Sequence, residues 1–80
     1  MSIKSGAGSG KKMKIFCERL IEQRKLNGYT QRQVAEYLNI AQPSYIRYER
    51  GDSQPTLENL SRLADLFDVS ADYLLGRKEL

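Results

Sequence analysis

Residues 31–50 read QRQVAEYLNIAQPSYIRYER, and this stretch decides the fold. Thr30, Gln31, Arg32 and Gln33 make a capping box: the threonine hydroxyl can accept from the amide three residues on, and Gln33 can reach back to the Thr30 amide. Behind that start, Val34, Ala35 and Leu38 fall on one side of a helix. Asn39 tolerates the left-handed conformation that ends it, and Ile40 turns back toward the apolar side. A second helix begins near Gln42 and runs to Arg50, where Gly51 stops it. Pro43 is acceptable in a first turn, whose amide has no helical partner. Tyr45 and Tyr48 share the inward face; Gln42, Pro43, Ile46 and Arg47 take the other, which leaves Ile46 as a large apolar residue expected at the surface. Residues 39–41 are too short a link for an antiparallel hairpin, so the two helices must cross sharply, as in a helix-turn-helix. Packing then asks for a small residue at the crossing, met by Ala35, and for Val34, Leu38, Ile40, Tyr45 and Tyr48 to fill the angle.

The helical period continues on both sides. Residues 13–27 place Phe16, Cys17, Leu20, Ile21 and Arg24 on one face, with Glu18, Arg19, Glu22 and Lys25 opposite, and Gly28 ends that helix. Cys17 has no His or CxxC partner and reads as a packed core thiol. After the loop Asp52, Ser53, Gln54 and Pro55, Thr56 caps a helix with the stripe Leu57, Leu60, Leu63, Ala64 and Phe67. Val69 closes it, Ser70 caps a short final helix holding Tyr73 and Leu74, and Gly76 follows. No strand alternation appears, so the expected fold is all-α: five short helices in one domain over residues 13–76, with a short tail at 77–80. Residues 1–12, MSIKSGAGSGKK, read as a flexible leader, either a natural basic arm or an added GAGSG linker.

Composition narrows the function. Eighty residues, 40% hydrophobic and 29% charged, suffice for one small domain. One cysteine cannot form an internal disulfide, and the absence of histidine removes the commonest metal ligand, so no metal or cofactor is implied. A lone thiol suits a reducing compartment, and neither an 18-residue apolar run nor a signal-peptide core is present; the expected location is cytoplasmic, away from membranes. Without a GxxxxGK[ST] loop, a GxGxxG fingerprint or a nucleophile–base pair, the chain is expected not to be an enzyme, and no small-molecule ligand is evident. The net charge of +3 is polarised. Lys4, Lys11 and Lys12 account for all of it; residues 19–54 are basic on balance, whereas residues 55–75 set Arg62 against Glu58, Asp65, Asp68 and Asp72. A polyanion could meet the middle of the chain while the acidic third faces away.

The run RKLNGYTQRQVAEYLNIAQPSYIRYERGDSQPTLENLSRLADLFDVSADYLLG, residues 24–76, resembles the Cro/CI-type (XRE) helix-turn-helix regulators, and the resemblance extends over about residues 13–76. The stretches FDVSADYLLG and YIRYERG look most like members from low-GC Gram-positive bacteria and their mobile elements. The resemblance implies a five-helix, lambda-repressor-like DNA-binding domain and a transcriptional regulator of the repressor kind, bound to a double-stranded operator as a weak homodimer. It assigns Gln31 to a phosphate and Gln42, Pro43 and Ser44 to base edges, with Arg47 one turn later, and it pairs Arg24 with Glu49. Asn39 stands where the family usually has glycine, and Pro43 can offer a base only apolar contact.

The chemistry of the side chains is compatible with those roles. Gln42 can pair bidentately with adenine, and Arg47 with guanine O6/N7 or with a phosphate. Ile46 shares the outer face with them. Thr30, Gln31 and Arg32 lie at the start of the first helix of the pair and Arg50 at the end of the second, positions suited to phosphates; the N-termini of both helices are expected anion sites. The dimer interface is expected at Phe67, Val69, Tyr73 and Leu74, with Leu75 and the loop before the fourth helix. The competing reading is an antitoxin-type or other protein-interaction module in which DNA binding is secondary.

Overall fold

The computed structural model describes residues 9–79, with side chains from residue 14 onward. Five helices follow in order: α1 (Ser9–Leu26), α2 (Gln31–Leu38), α3 (Gln42–Arg50), α4 (Leu57–Phe67) and α5 (Ala71–Leu74). Among the described residues there is no strand, and no helix is long and apolar enough to cross a membrane. Residues 1–8 of the expected leader lie outside the described residues, as does Leu80 of the tail. The remainder of the leader differs from expectation: α1 begins at Ser9, four residues ahead of Met13.

Each boundary has a local cause. Gly28 (φ 75°) follows α1, with Tyr29 N donating to Arg24 O and Gly28 N to Lys25 O, while the Asn27 side-chain amide donates to Gln23 O at 2.8 Å, so backbone and side chain together close the last turn. Thr30 caps α2 through the full box: its Oγ1 accepts from Gln33 N at 3.0 Å, and Gln33 Oε1 accepts from Thr30 N at 2.8 Å. Asn39 ends α2 in the left-handed conformation at φ 61°. Thr56 and Ser70 cap α4 and α5. Asp68, not Val69, makes the left-handed turn after α4, at φ 57°, a conformation its short polar side chain tolerates.

One core joins the helices. Phe16 and Leu20 of α1, Val34, Ala35 and Leu38 of α2, Tyr45 and Tyr48 of α3, Leu60, Leu63, Ala64 and Phe67 of α4, and Tyr73 and Leu74 of α5 are all buried, with Cys17, Ile40 and Val69 packed half-exposed against them. Helix α1 lies on α3 and α5, while α2 lies on α3 and α4. Three positions depart from the sequence expectation. Leu57, placed in the buried stripe of α4, is 85% exposed, because the first residue of that helix overhangs the core. Gln23, not read as core, is buried. Arg19, read as solvated, instead pins the C-terminal residues: its Nη1 donates to the carbonyls of Tyr73 (2.6 Å) and Lys78 (2.9 Å), and its Nη2 meets the Glu79 carboxylate at 3.2 Å. The chain reaches that clamp by turning at Gly76 (φ 80°), where a Cβ would stand 2.6 Å from Ile15 Cγ2.

Candidate nucleic-acid interface

The relative setting of α2 and α3 follows from three residues. Ala35 is buried, Asn39 N donates to Glu36 O, and Ile40 N donates to Ala35 O, so the chain reverses tightly before Ala41 starts α3. With Tyr45 and Tyr48 buried, Gln42, Pro43, Ser44, Arg47 and Arg50 are left exposed on the outer side of α3. Ile46 is half-buried instead of exposed, since one residue beyond Tyr45 is the flank of the outer face and not its centre.

The two helix N-termini are unequal. In α2 the capping box occupies the Gln33 amide and Val34 N donates to Thr30 O, so the amides of Gln31 and Arg32 are the first-turn donors left to an anion. Ala41 gives α3 no side-chain cap, Pro43 has no N–H, and Ser44 N and Tyr45 N both donate to Ala41 O at 3.0 and 3.2 Å. Only Gln42 N remains there. The two expected anion sites therefore differ in open donors, two backbone amides at α2 and one at α3.

The cations at this surface differ in their partners. Arg32 lies 3.3 Å from Glu36 and Arg50 lies 3.4 Å from Asp52, both as exposed pairs that solvent screens and an incoming phosphate can displace. Arg47 makes no ion pair among the described residues.

Behind the surface, Arg24 and Glu49 form a nearly buried ion pair, their side chains 13% and 4% exposed, with Nε–Oε2 at 2.6 Å and Nη2–Oε1 at 3.3 Å. Tyr45 Oη donates to Glu49 Oε2 at 2.5 Å, and Gln31 Nε2 donates to Glu49 Oε1 at 3.0 Å. Arg24 also donates through Nη1 to Tyr29 O. Burial alone would push the Glu49 carboxyl up; the bonds from Arg24, Tyr45 and Gln31 outweigh it and hold its pKa below the ordinary value. The bond to Glu49 raises the Arg24 pKa, and burial, then the Glu49 bond, pushes the Tyr45 phenol well up. Cys17 donates to Tyr48 O at 3.3 Å, and burial raises its pKa, as for a packed thiol.

The residues expected at a dimer interface differ in exposure. Phe67, Tyr73 and Leu74 are 4%, 6% and 0% exposed, because the core needs them, and Val69 is half-buried against it. The exposed apolar surface on that side includes the expected Leu75 together with Ile15 and Leu57, and with Pro55 of the expected loop and Gly76 they line a groove of about 630 Å³. Among the described residues no cluster of side chains could hold a metal ion.

The helix-turn-helix family pattern matches residues 20–74. Over 60 residues the chain is 47% identical to the cryptic phage CTXphi transcriptional repressor RstR of Vibrio cholerae, a match covering 75% of this chain and 54% of that protein. The chain spans about half the length of the curated relatives it matches. A transcriptional regulator from Listeria innocua has a similar crystal structure, with a TM-score of 0.74 and 35% identity over 81% of this chain and 61% of that one. The P22 c2 repressor, crystallised with synthetic operator 9T, is similar with a TM-score of 0.73 and 27% identity, over 79% of this chain and 96% of the repressor.

Proposed function

Because the chain belongs to the Cro/CI-type (XRE) helix-turn-helix family, we propose that it is a sequence-specific DNA-binding transcriptional regulator of the repressor kind, with α3 as the reading helix. One observation carries this reading: Gln42 and Ser44 stand exposed in the first turn of α3 and Arg47 about one turn beyond Ser44, while the tyrosines behind them are locked in the core. A rigid helix presenting an amide and a guanidinium at that spacing suits the floor of the major groove, where Gln42 meets adenine and Arg47 meets guanine. Pro43 adds apolar contact to a thymine methyl, and Ile46 flanks the same face. Gln31, Arg32 and the open amides of α2 take one phosphate, Thr30 supports them as the cap, and Arg50 takes another.

The operator complex of the P22 c2 repressor supports the same docking here. The chain is a binding protein and not an enzyme in this reading, works in the cytoplasm, and pairs as a weak homodimer on DNA through the side carrying half-buried Pro55 and exposed Leu57 and Leu75. Half-sites then lie about 34–36 Å apart. The test is selection from random-sequence duplexes by gel shift. Enrichment of a two-fold symmetric sequence is expected; no enrichment at moderate salt contradicts the reading and favours a protein-interaction module.

A further inference from the structure

Glu49 does more than close an ion pair. Its two oxygens receive four donors: Arg24 Nε and Tyr45 Oη at Oε2, Arg24 Nη2 and Gln31 Nε2 at Oε1. An ionised carboxylate offers about four acceptor sites, so it is saturated. Those donors come from α1, α2 and α3, and one buried carboxylate therefore joins the helix that carries the phosphate-facing glutamine to the helix that reads bases. A carboxylate only accepts, so the Gln31 amide must turn its nitrogen toward Glu49; this settles an orientation that an amide alone leaves open. The second N–H on Gln31 Nε2 remains available, at the start of α2 and beside the open amides of its first turn.

We propose that Glu49 is a positioning residue for DNA binding, which holds the half-exposed Gln31 side chain in its phosphate-binding orientation before DNA arrives. This rests on the DNA-binding reading above. Ordering a free glutamine on a phosphate costs rotamer freedom at the moment of binding; a glutamine already held by Glu49 has lost that freedom on folding. Removing the hold weakens binding without removing any group that touches DNA.

The probe is a fluorescently labelled mixed-sequence duplex, because a phosphate contact serves every sequence. Gln31→Ala is expected to weaken binding about tenfold. Glu49→Gln, which keeps the shape, is expected to weaken it about three- to tenfold when Gln31 is present and by less than about twofold in the Gln31→Ala background. A merely structural Glu49 gives the same loss in both backgrounds, which overturns the proposal. Should Glu49→Gln fail to fold, side-chain nitrogen relaxation on the free wild-type chain decides instead. The Gln31 amide is expected to be nearly as ordered as rigid backbone, with an order parameter of about 0.85, and the exposed Gln42 amide well below it. Equal mobility of the two amides overturns the proposal. If Gln31→Ala binds as the wild type does, the positioning role falls while the DNA-binding reading stands; if the wild type binds no duplex, both fall.

Discussion

The guanidinium of Arg19 lies 4.3 Å from the centre of the Tyr73 ring and donates to the carbonyl of the same residue at 2.6 Å. One side chain of α1 thus holds both the face and the backbone of α5, and with Lys78 O and Glu79 it seats the residues that follow. Arg19→Ala should lower stability by about 1–2 kcal/mol, the sum expected of a cation–π contact and one part-buried hydrogen bond. Arg19→Lys should recover little of it, since an ammonium keeps the charge but loses the planar fork. Urea denaturation of the three chains measures this, and amide exchange at residues 77–79 should speed up in both variants.

The Arg24–Glu49 pair predicts a larger effect. Removing one member of a nearly buried pair leaves the other uncompensated, which costs roughly 3–5 kcal/mol. Glu49→Ala should therefore unfold the domain or lower its thermal midpoint sharply. Because the folded Glu49 pKa lies below its unfolded value, the stability it contributes is fully present above the unfolded value and is lost as pH falls through the folded one. Thermal midpoints of the wild type should fall across that acid range, and those of a folded Glu49→Gln variant should fall less.

Most of this fold was legible because its signals are local. The capping box at Thr30, the left-handed Asn39 and Gly51, and the three-residue link between α2 and α3 each follow from nearest neighbours in the chain. Arg24 was legible for a different reason: a charge on an apolar face needs a partner, and Glu49 ends the helix opposite. The misreadings are tertiary. Arg19 sits on the polar side of α1 by periodicity, and only the return of the chain at Gly76 brings residues 77–79 to it. Tyr73 and Leu74 look like surplus apolar residues beside Leu75, yet a domain this small uses both inside and leaves Leu57 and Leu75 outside. The link from Gln31 to Glu49 spans 18 residues and carries no local pattern.

Dimerisation should follow the exposed apolar surface at Leu57 and Leu75. Leu57→Asp places a charge at an 85% exposed position, so stability should change by no more than about 0.5 kcal/mol. Binding to a site with two half-sites should weaken, while binding to a single half-site stays as it was. Leu74→Asp, by contrast, buries a charge in the core and should prevent folding. Gel shifts on one- and two-half-site duplexes, with circular dichroism for folding, separate the two outcomes.

Arg50 and Arg32 should behave as phosphate contacts. Each alanine variant should weaken binding to all sequences alike and lower the slope of log affinity against log salt by about one unit. Gln31→Ala, which removes no charge, should leave that slope nearly unchanged. Titrations at several salt concentrations report both quantities.

If α3 reads bases through Gln42 and Arg47, the affinity of Gln42→Ala for its selected operator and for random duplex at the same salt will show it. Loss of a bidentate adenine contact should cost about 1–3 kcal/mol on the operator, relax preference at one base position and leave random DNA almost unaffected. Equal loss on operator and random DNA would mean that Gln42 holds the backbone and that α3 is not the reading helix.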